Sequence, residues 1–166
     1  MNQLIQQIEQ WAEDRNLIKG STPQKQMLKL MEEFGELCGG VAKNKPEVIK
    51  DSIGDCFVAL VILTKQLRVE LDFGYLFSET YKNLQNTNDD PTLSTLLFIS
   101  RSGKLADCIG YHDDPILEIA GLFSLLTLIS SKLYLDLSDC VQHAYDQIKD
   151  RKGKLIDGVF VKEEDL

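Results

Sequence analysis

Four prolines punctuate the chain, at Pro23, Pro46, Pro91 and Pro115, and each stands where a new run of helical apolar periodicity begins. Proline has no N–H to give, and only the first turn of a helix does not need one, so these positions mark helix starts. Thr22 precedes Pro23 as an N-cap, and Asp90 and Asp114 precede the last two prolines as good capping residues. Lys25 stands where a capping box would want Glu or Gln, so the cap at Thr22 is a simple one. Ahead of the first proline, Leu4, Ile5, Ile8, Trp11 and Ala12 share one helical face. The pattern predicts helices near 2–17, 22–43, 46–68, 71–84, 91–109, 115–134 and 137–150. Strand signal is weak; "GVFVK" at Gly158–Lys162 alone alternates enough for a short extended tail, a β-edge or a docking arm. The fold class is all-α, in one domain over 1–166 that is long enough to bury a real core.

Composition narrows the function. Apolar residues make up 43% and charged residues 27%, as in an ordinary soluble domain. A net charge of −8 argues against general affinity for nucleic acid or an anionic membrane and suits a protein that gathers cations. The N-terminal segment is acidic and amphipathic, unlike a signal peptide, and the longest apolar stretch, "CFVALVILTKQL", is too short to span a bilayer and is stopped by Lys65. Cys38, Cys56, Cys108 and Cys140 are widely spaced in apolar helical surroundings with no metal-type spacing, which reads as free buried thiols in a reducing cytosol. The expectation is a cytoplasmic protein without a nucleic-acid or membrane partner.

One stretch does not suit a plain helical core. "KLMEEFGELCGG" (Lys29–Gly40) sets Glu32, Glu33 and Glu36 among Leu30, Met31, Phe34 and Leu37. Residues three and four apart share a helical face, so Glu33 and Glu36 point the same way, with Glu32 beside them. The next helix carries Asp51 and Asp55 at the same kind of spacing, and the short connection Gly39–Lys45 allows an antiparallel hairpin in which Asp55 faces Glu33 and Glu36. Converging carboxylates without basic neighbours repel, and a hard divalent cation, Mg²⁺ or Mn²⁺, resolves the conflict. The competing reading is a solvated acidic face with Lys29 and other surface lysines as partners; spacing does not choose between them. Gly35 and Gly54, one in each helix, suggest close approach of backbones or of a ligand.

A faint internal duplication is visible. The segment from Leu28 to Phe77 lays onto the one from Leu96 to Gln142, pairing Gly35 with Gly103, Leu37 with Leu105, Pro46 with Pro115 and Gly54 with Gly121. Glu33 and Glu36 then match Arg101 and Lys104, and Asp55 matches Leu122, so any second copy has lost the carboxylates. A single hairpin cannot enclose a substrate, and the expectation is that the second half or a partner subunit supplies the opposite wall.

These residues resemble the all-α nucleoside triphosphate pyrophosphohydrolases, the MazG-like group that also includes the dimeric dUTPases and dCTPases. Their signature is ExxE, a spacer, then ExxD; "EFGE" (Glu33, Glu36) matches the first half and "SIGD" (Ser52 to Asp55) falls on the second. "LMEEFGEL", "IKDSIGDCFVAL", "IEQWAEDRNL" and the C-terminal "AYDQIKDRKGKLIDGVFVKEEDL" look like the phage and bacterial MazG-like subgroup, whereas 85–135 resembles it only loosely.

The resemblance implies an antiparallel helical bundle with an acidic metal-binding half over 22–84, a degenerate second half over 91–150 and a tail over 151–166. It implies Mg²⁺ held by Glu33, Glu36 and Asp55, and a (deoxy)nucleoside triphosphate split to monophosphate and pyrophosphate. Glu32 would take the water's proton or support a ligand. Where the family pattern has its third glutamate this chain has Ser52; Asp51 lies about 100° around the helix from it and would have to reach in from the flank. That departure keeps open a catalytically weak nucleotide- or metal-binding protein of the same fold. A homodimer is a further expectation.

Several other residues carry two readings. "KDRKGK" supplies Lys149, Arg151 and Lys154, as phosphate ligands or as a cationic helix end stopped by Gly153. Lys82 and Asn83 in "YKNL" resemble the Lys-Asn element that holds nucleotide in dimeric dUTPases, or else simply end a helix before the polar loop "QNTNDD". Arg101 and Lys104 read as surface charges, His112 and His143 as structural or exposed, and Trp11 as a core residue that also has the shape to stack on a base.

Overall fold

The computed structural model describes residues 1–84 and 90–166. In chain order the elements are α1 (Asn2–Asp14), the single turn α2 (Leu17–Gly20), α3 (Pro23–Ala42), α4 (Pro46–Gln66), α5 (Phe73–Leu84), α6 (Pro91–Tyr111), α7 (Ile116–Lys132), α8 (Leu137–Ile148), strands β1 (Gly153–Ile156) and β2 (Val159–Lys162), and a final 3-10 turn at Glu163–Asp165. The all-α class holds, with little strand beside the helices. The loop "QNTNDD" falls, apart from Asp90, outside the described residues.

The caps behave as their chemistry requires. Thr22 accepts from the Lys25 N–H at 3.3 Å with Pro23 at the first helical position, and Asp90 accepts from Leu93 N–H at 2.8 Å. Pro115 differs from the expectation: it is itself the N-cap of α7, and Asp114 accepts from Ile116 N–H at 3.0 Å, one position short of the usual capping bond. The first helix also ends earlier than expected. Asn16 takes a left-handed conformation (φ 57°) and breaks 2–17 into α1 and α2. Asn44, Arg68, His112 and Tyr134 do the same at later helix ends, and of these residue types only Asn advertises that conformation.

α4 is the central rod. It packs on α3, α8, α1 and α7, and Ile53, Cys56, Phe57, Leu60 and Leu63 on it are fully buried. Phe57 meets Phe123 of α7 edge-on at 5.0 Å, and Phe34 of α3 stacks on Phe98 of α6 at 4.2 Å, which ties the α3–α4 hairpin to the α6–α7 hairpin. The helices after the two hairpins are exchanged: α5 packs on α7, and α8 packs on α4.

The C-terminus is a true hairpin, not an extended arm. β1 pairs antiparallel with β2, Ile156 opposite Val159, through the two-residue turn Asp157–Gly158 with both φ values positive (48° and 76°). Asp-Gly is the favoured pair for this turn, because its backbone twist matches that of the strands. The four cysteines are free; Cys56 and Cys140 are buried, while Cys38 and Cys108 are only half-buried. Among the described residues no single helix is long and apolar enough to cross a membrane.

Candidate active site

α3 and α4 form the expected antiparallel hairpin, turning through Lys43 and Asn44. Glu33 projects from the buried side of α3 (8% exposed), whereas Glu32 and Glu36 are exposed. Lys29 lies one turn before them and pairs with both Glu33 and Glu32, the latter at 3.0 Å. Burial works against the Lys29 ammonium, but its bonds to these two carboxylates outweigh it and its pKa rises. Lysine thus supplies positive charge within the acidic stretch, as the solvated-face reading expected for Lys29.

Asp55 is different. Burial, then the charges of Glu33 and Asp51, push its pKa up to about 7, and Lys29 and Arg151 offset this only in part. Asp51 sits on the flank toward α8, where Gln147 Nε2 donates to it at 2.8 Å and His143 Nε2 lies 3.4 Å away. His143, read from sequence as structural or exposed, is half-exposed and bonded to Gln147 at 2.9 Å.

Glu32, Glu33 and Asp55 line a cavity of about 340 Å³. Its walls come from widely separated parts of the chain: α3 and α4 on one side, and Trp11, Ile148, Arg151 and the C-terminal hairpin on the other. The opposite wall thus includes Ile148 at the end of α8, from the second half, together with α1 and the tail, which the expectation did not name. Lys25, Lys29, Arg151 and Lys162 place four cationic side chains on the same cavity as the carboxylates. A cavity that joins acidic groups to basic ones and to an apolar surface suits a ligand with a metal-bound anionic part and a flat apolar part.

The tail is held there by specific bonds. Ser21 Oγ donates to Gly158 O at 2.6 Å, and Trp11 Nε1 donates to Ile148 O at 2.8 Å. Arg15, lying over the Trp11 ring at 4.7 Å, donates to the carbonyls of Lys149 and Arg151 at 3.1 and 2.8 Å and so closes the end of α8. Gly54 lets α8 come close: a Cβ there would lie 2.3 Å from Cys140 O and 2.7 Å from Ala144 Cβ. A Cβ on Gly35 would meet nothing within 4 Å, so that glycine does not mark a close approach.

The remaining sequence candidates lie elsewhere. Lys82 pairs with Glu79 at 2.6 Å, and Asn83 Nδ2 donates to Glu79 O at 2.9 Å, both on α5. Lys149 pairs with Asp146 at 2.7 Å, and Lys154 is exposed on β1. None of the four lines the carboxylate cavity. Arg101 pairs with Glu118 at 3.0 Å and passes over Gly121, where a Cβ would collide with it; Lys104 is exposed. A larger open cleft of about 560 Å³ lies between α1 and the α4–α5 connection, but its Lys65 is already paired with Glu9 at 3.2 Å and it holds none of the hairpin's carboxylates. Sequence reasoning missed Lys25, Lys162 and Phe160; the Asp157–Gly158 dipeptide was the one signal that would have folded Phe160 and Lys162 back.

Among the described residues no three Asp, Glu, His or Cys groups stand together closely enough to hold a metal ion as they are. In kind, the donors fit a hard cation. They are oxygen-only, and ionised Asp55 is under-compensated by the lysine and arginine near it. Ser52, 1% exposed, has an Oγ with no hydrogen-bond partner. Ser52→Ala should therefore leave the fold intact and raise stability by about 1 kcal/mol, measured as the shift in urea midpoint.

Residues 21–85 match the model of the MazG nucleotide pyrophosphohydrolase domain. Over 70 residues the chain is 74% identical to the "Uncharacterized 18.2 kDa protein in rep-hol intergenic region" of Haemophilus phage HP1, a match that covers 42% of this chain and 43% of that protein. The chain thus aligns with less than half the length of this relative. No solved structure matches the chain.

Proposed function

Because residues 21–85 match the model of the MazG nucleotide pyrophosphohydrolase domain, we propose that the chain hydrolyses a (deoxy)nucleoside triphosphate to the monophosphate and pyrophosphate in the α3–α4 cavity, with Mg²⁺ (or Mn²⁺) as cofactor. The observation that carries the reading is the convergence of Glu32, Glu33 and Asp55 with Lys25, Lys29, Arg151 and Lys162 on one cavity of nucleotide-compatible size.

Glu33 and Asp55, with Glu36 and Asp51 along the same hairpin, are the residues that would hold the cation. When bound, the cation would screen the phosphate charge and lower the pKa of a water. Lys25 and Arg151 have no ion pair among the described residues and would bind the outer phosphates as point charge and fork. Glu32 is exposed at the rim, within reach of solvent, and is the group assigned to accept the water's proton. Lys82, Asn83, Lys149 and Lys154 would contribute only through another copy of the chain, as in the homodimer that the resemblance implies.

The test is a panel of the standard nucleoside and deoxynucleoside triphosphates with Mg²⁺, scored separately for pyrophosphate and orthophosphate, in the native protein and in Glu33→Gln. Pyrophosphate from at least one nucleotide, lost at least 100-fold in the variant, is the expected result. Silence across the panel with Mg²⁺ and Mn²⁺ alike would refute hydrolysis. It would favour the second reading, a nucleotide-binding protein without turnover, whose supporting observation is the neutral, unpartnered Ser52 at a carboxylate position. Ser52→Glu separates the two, since a marked gain in turnover identifies an impaired site.

A further inference from the structure

The same cavity also has an apolar lining. Its surface comes from Trp11 of α1, Val58 and Ile62 of α4, and Val159 and Phe160 of β2, with Gln26 as a buried polar side chain on the same cavity. Trp11 has already given its indole N–H to Ile148 O, so the ring offers the cavity only apolar surface. The Trp11 and Phe160 rings stand 6.2 Å apart at an interplanar angle of 57°. They form an open corner, not a closed stack. Gln26 Nε2 donates to Ala59 O at 3.3 Å, which uses one of its donors and leaves a second N–H and a carbonyl for a ligand.

A flat heterocycle with donors and acceptors on its edge suits such a corner. Aromatic faces hold any base by stacking, while a buried amide distinguishes one edge from another. Resting on the reading of this cavity as a nucleoside triphosphate site, we propose that it receives the nucleobase against the corner formed by Trp11 and Phe160, with Gln26 reading its edge. Base selectivity is then set by Gln26 together with the way Trp11 of α1 and Phe160 of the C-terminal hairpin hold the base against it, and of these only Gln26 lies inside the residues 21–85 that match the family domain. The hairpin is built for that role. It meets the start of α3 through Ser21 Oγ and the Lys25 side chain, which lies 3.1 Å from where a Gly158 Cβ would be. Its residues can therefore vary without disturbing Glu33 or Asp55 on the other wall.

Trp11 is the chain's single tryptophan, so its fluorescence reports this subsite directly and without turnover. The probes are hydrolysis-resistant α,β-methylene nucleotides of each base and inorganic tripolyphosphate, all with Mg²⁺. Nucleotides are expected to change the emission, and tripolyphosphate to change it little. Phe160→Ala should weaken nucleotide binding roughly tenfold and narrow the spread of affinities among bases, with tripolyphosphate affinity, read by calorimetry, within about twofold of native. Phe160→Leu keeps the apolar bulk that packs the hairpin and should reproduce the narrowed spread even if the alanine variant frays. Unchanged base preference in both variants, or equal losses for nucleotide and tripolyphosphate, would overturn the inference while pyrophosphate release by the native protein left the hydrolase reading standing. A native protein that neither binds nor hydrolyses any nucleotide would remove both.

Discussion

Asp55→Asn is expected to lower pyrophosphate release about 10³-fold and, in the same protein, to raise stability in chelator above pH 7. The first effect removes a proposed cation ligand, and several kcal/mol of charge stabilisation corresponds to about three factors of ten. The second follows from the position of Asp55. Its folded pKa of about 7 lies above the ordinary carboxylate value of 3.8, so the folded state holds the proton more tightly than the unfolded chain does. Stability from this group is therefore greatest at low pH. It declines as pH rises from about 4 to about 7, and the full penalty persists above that. Three pKa units correspond to roughly 4 kcal/mol, and partial solvent access reduces this to about 2 kcal/mol. Asparagine carries no such penalty. The difference in melting temperature between variant and native protein should grow from pH 4 to pH 8 in chelator, and a difference independent of pH would contradict the assignment.

Gly54→Ala is expected to destabilise the fold by about 2 kcal/mol despite the better helix propensity of alanine. The added methyl would sit 2.3 Å from Cys140 O and 2.7 Å from Ala144 Cβ, both held in α8, so the helices must part. Overpacking of this kind costs about 1–3 kcal/mol or somewhat more, against a helix gain of about 1 kcal/mol. The melting temperature should fall by roughly 4–8 °C. Nucleotide affinity should fall as well, since α8 leads directly into Ile148 and Arg151 on the cavity. Gly35→Ala, with nothing within 4 Å of the new methyl, should instead stabilise by up to about 1 kcal/mol. The two variants together separate a glycine needed for packing from one that is not.

The helices and their starts could be read from the chain because proline and the capping side chains act locally. Pro23 and Thr22 do the same thing in the fold that their chemistry suggests in isolation. The helix ends were harder. Arg68, His112 and Tyr134 adopt left-handed conformations with no glycine or asparagine to announce them, so the tertiary packing decides where the chain turns. The acidic half of the site was legible for the same local reason: Glu33 and Asp55 follow from helical spacing and one short connection. The other wall was not. Arg151 could be named as a phosphate ligand but not set apart from Lys149 and Lys154, because what separates them is the Arg15 and Trp11 bonds that close α8, 134 to 137 residues away in sequence. Phe160 reaches the cavity only because the Asp157–Gly158 turn folds β2 back on β1 and Ser21 holds the turn.

The proposed reaction is tested most directly at the phosphorus that water attacks, which is expected to be the one nearest the nucleoside. Hydrolysis of the best substrate in ¹⁸O-labelled water, followed by mass spectrometry of both products, tests this directly. The label should appear in the nucleoside monophosphate and be absent from pyrophosphate. Label in pyrophosphate would move the attack to the middle phosphorus and contradict the attack position assigned here, and release of labelled orthophosphate with a nucleoside diphosphate would contradict the reading of this site as a nucleotide pyrophosphohydrolase centre.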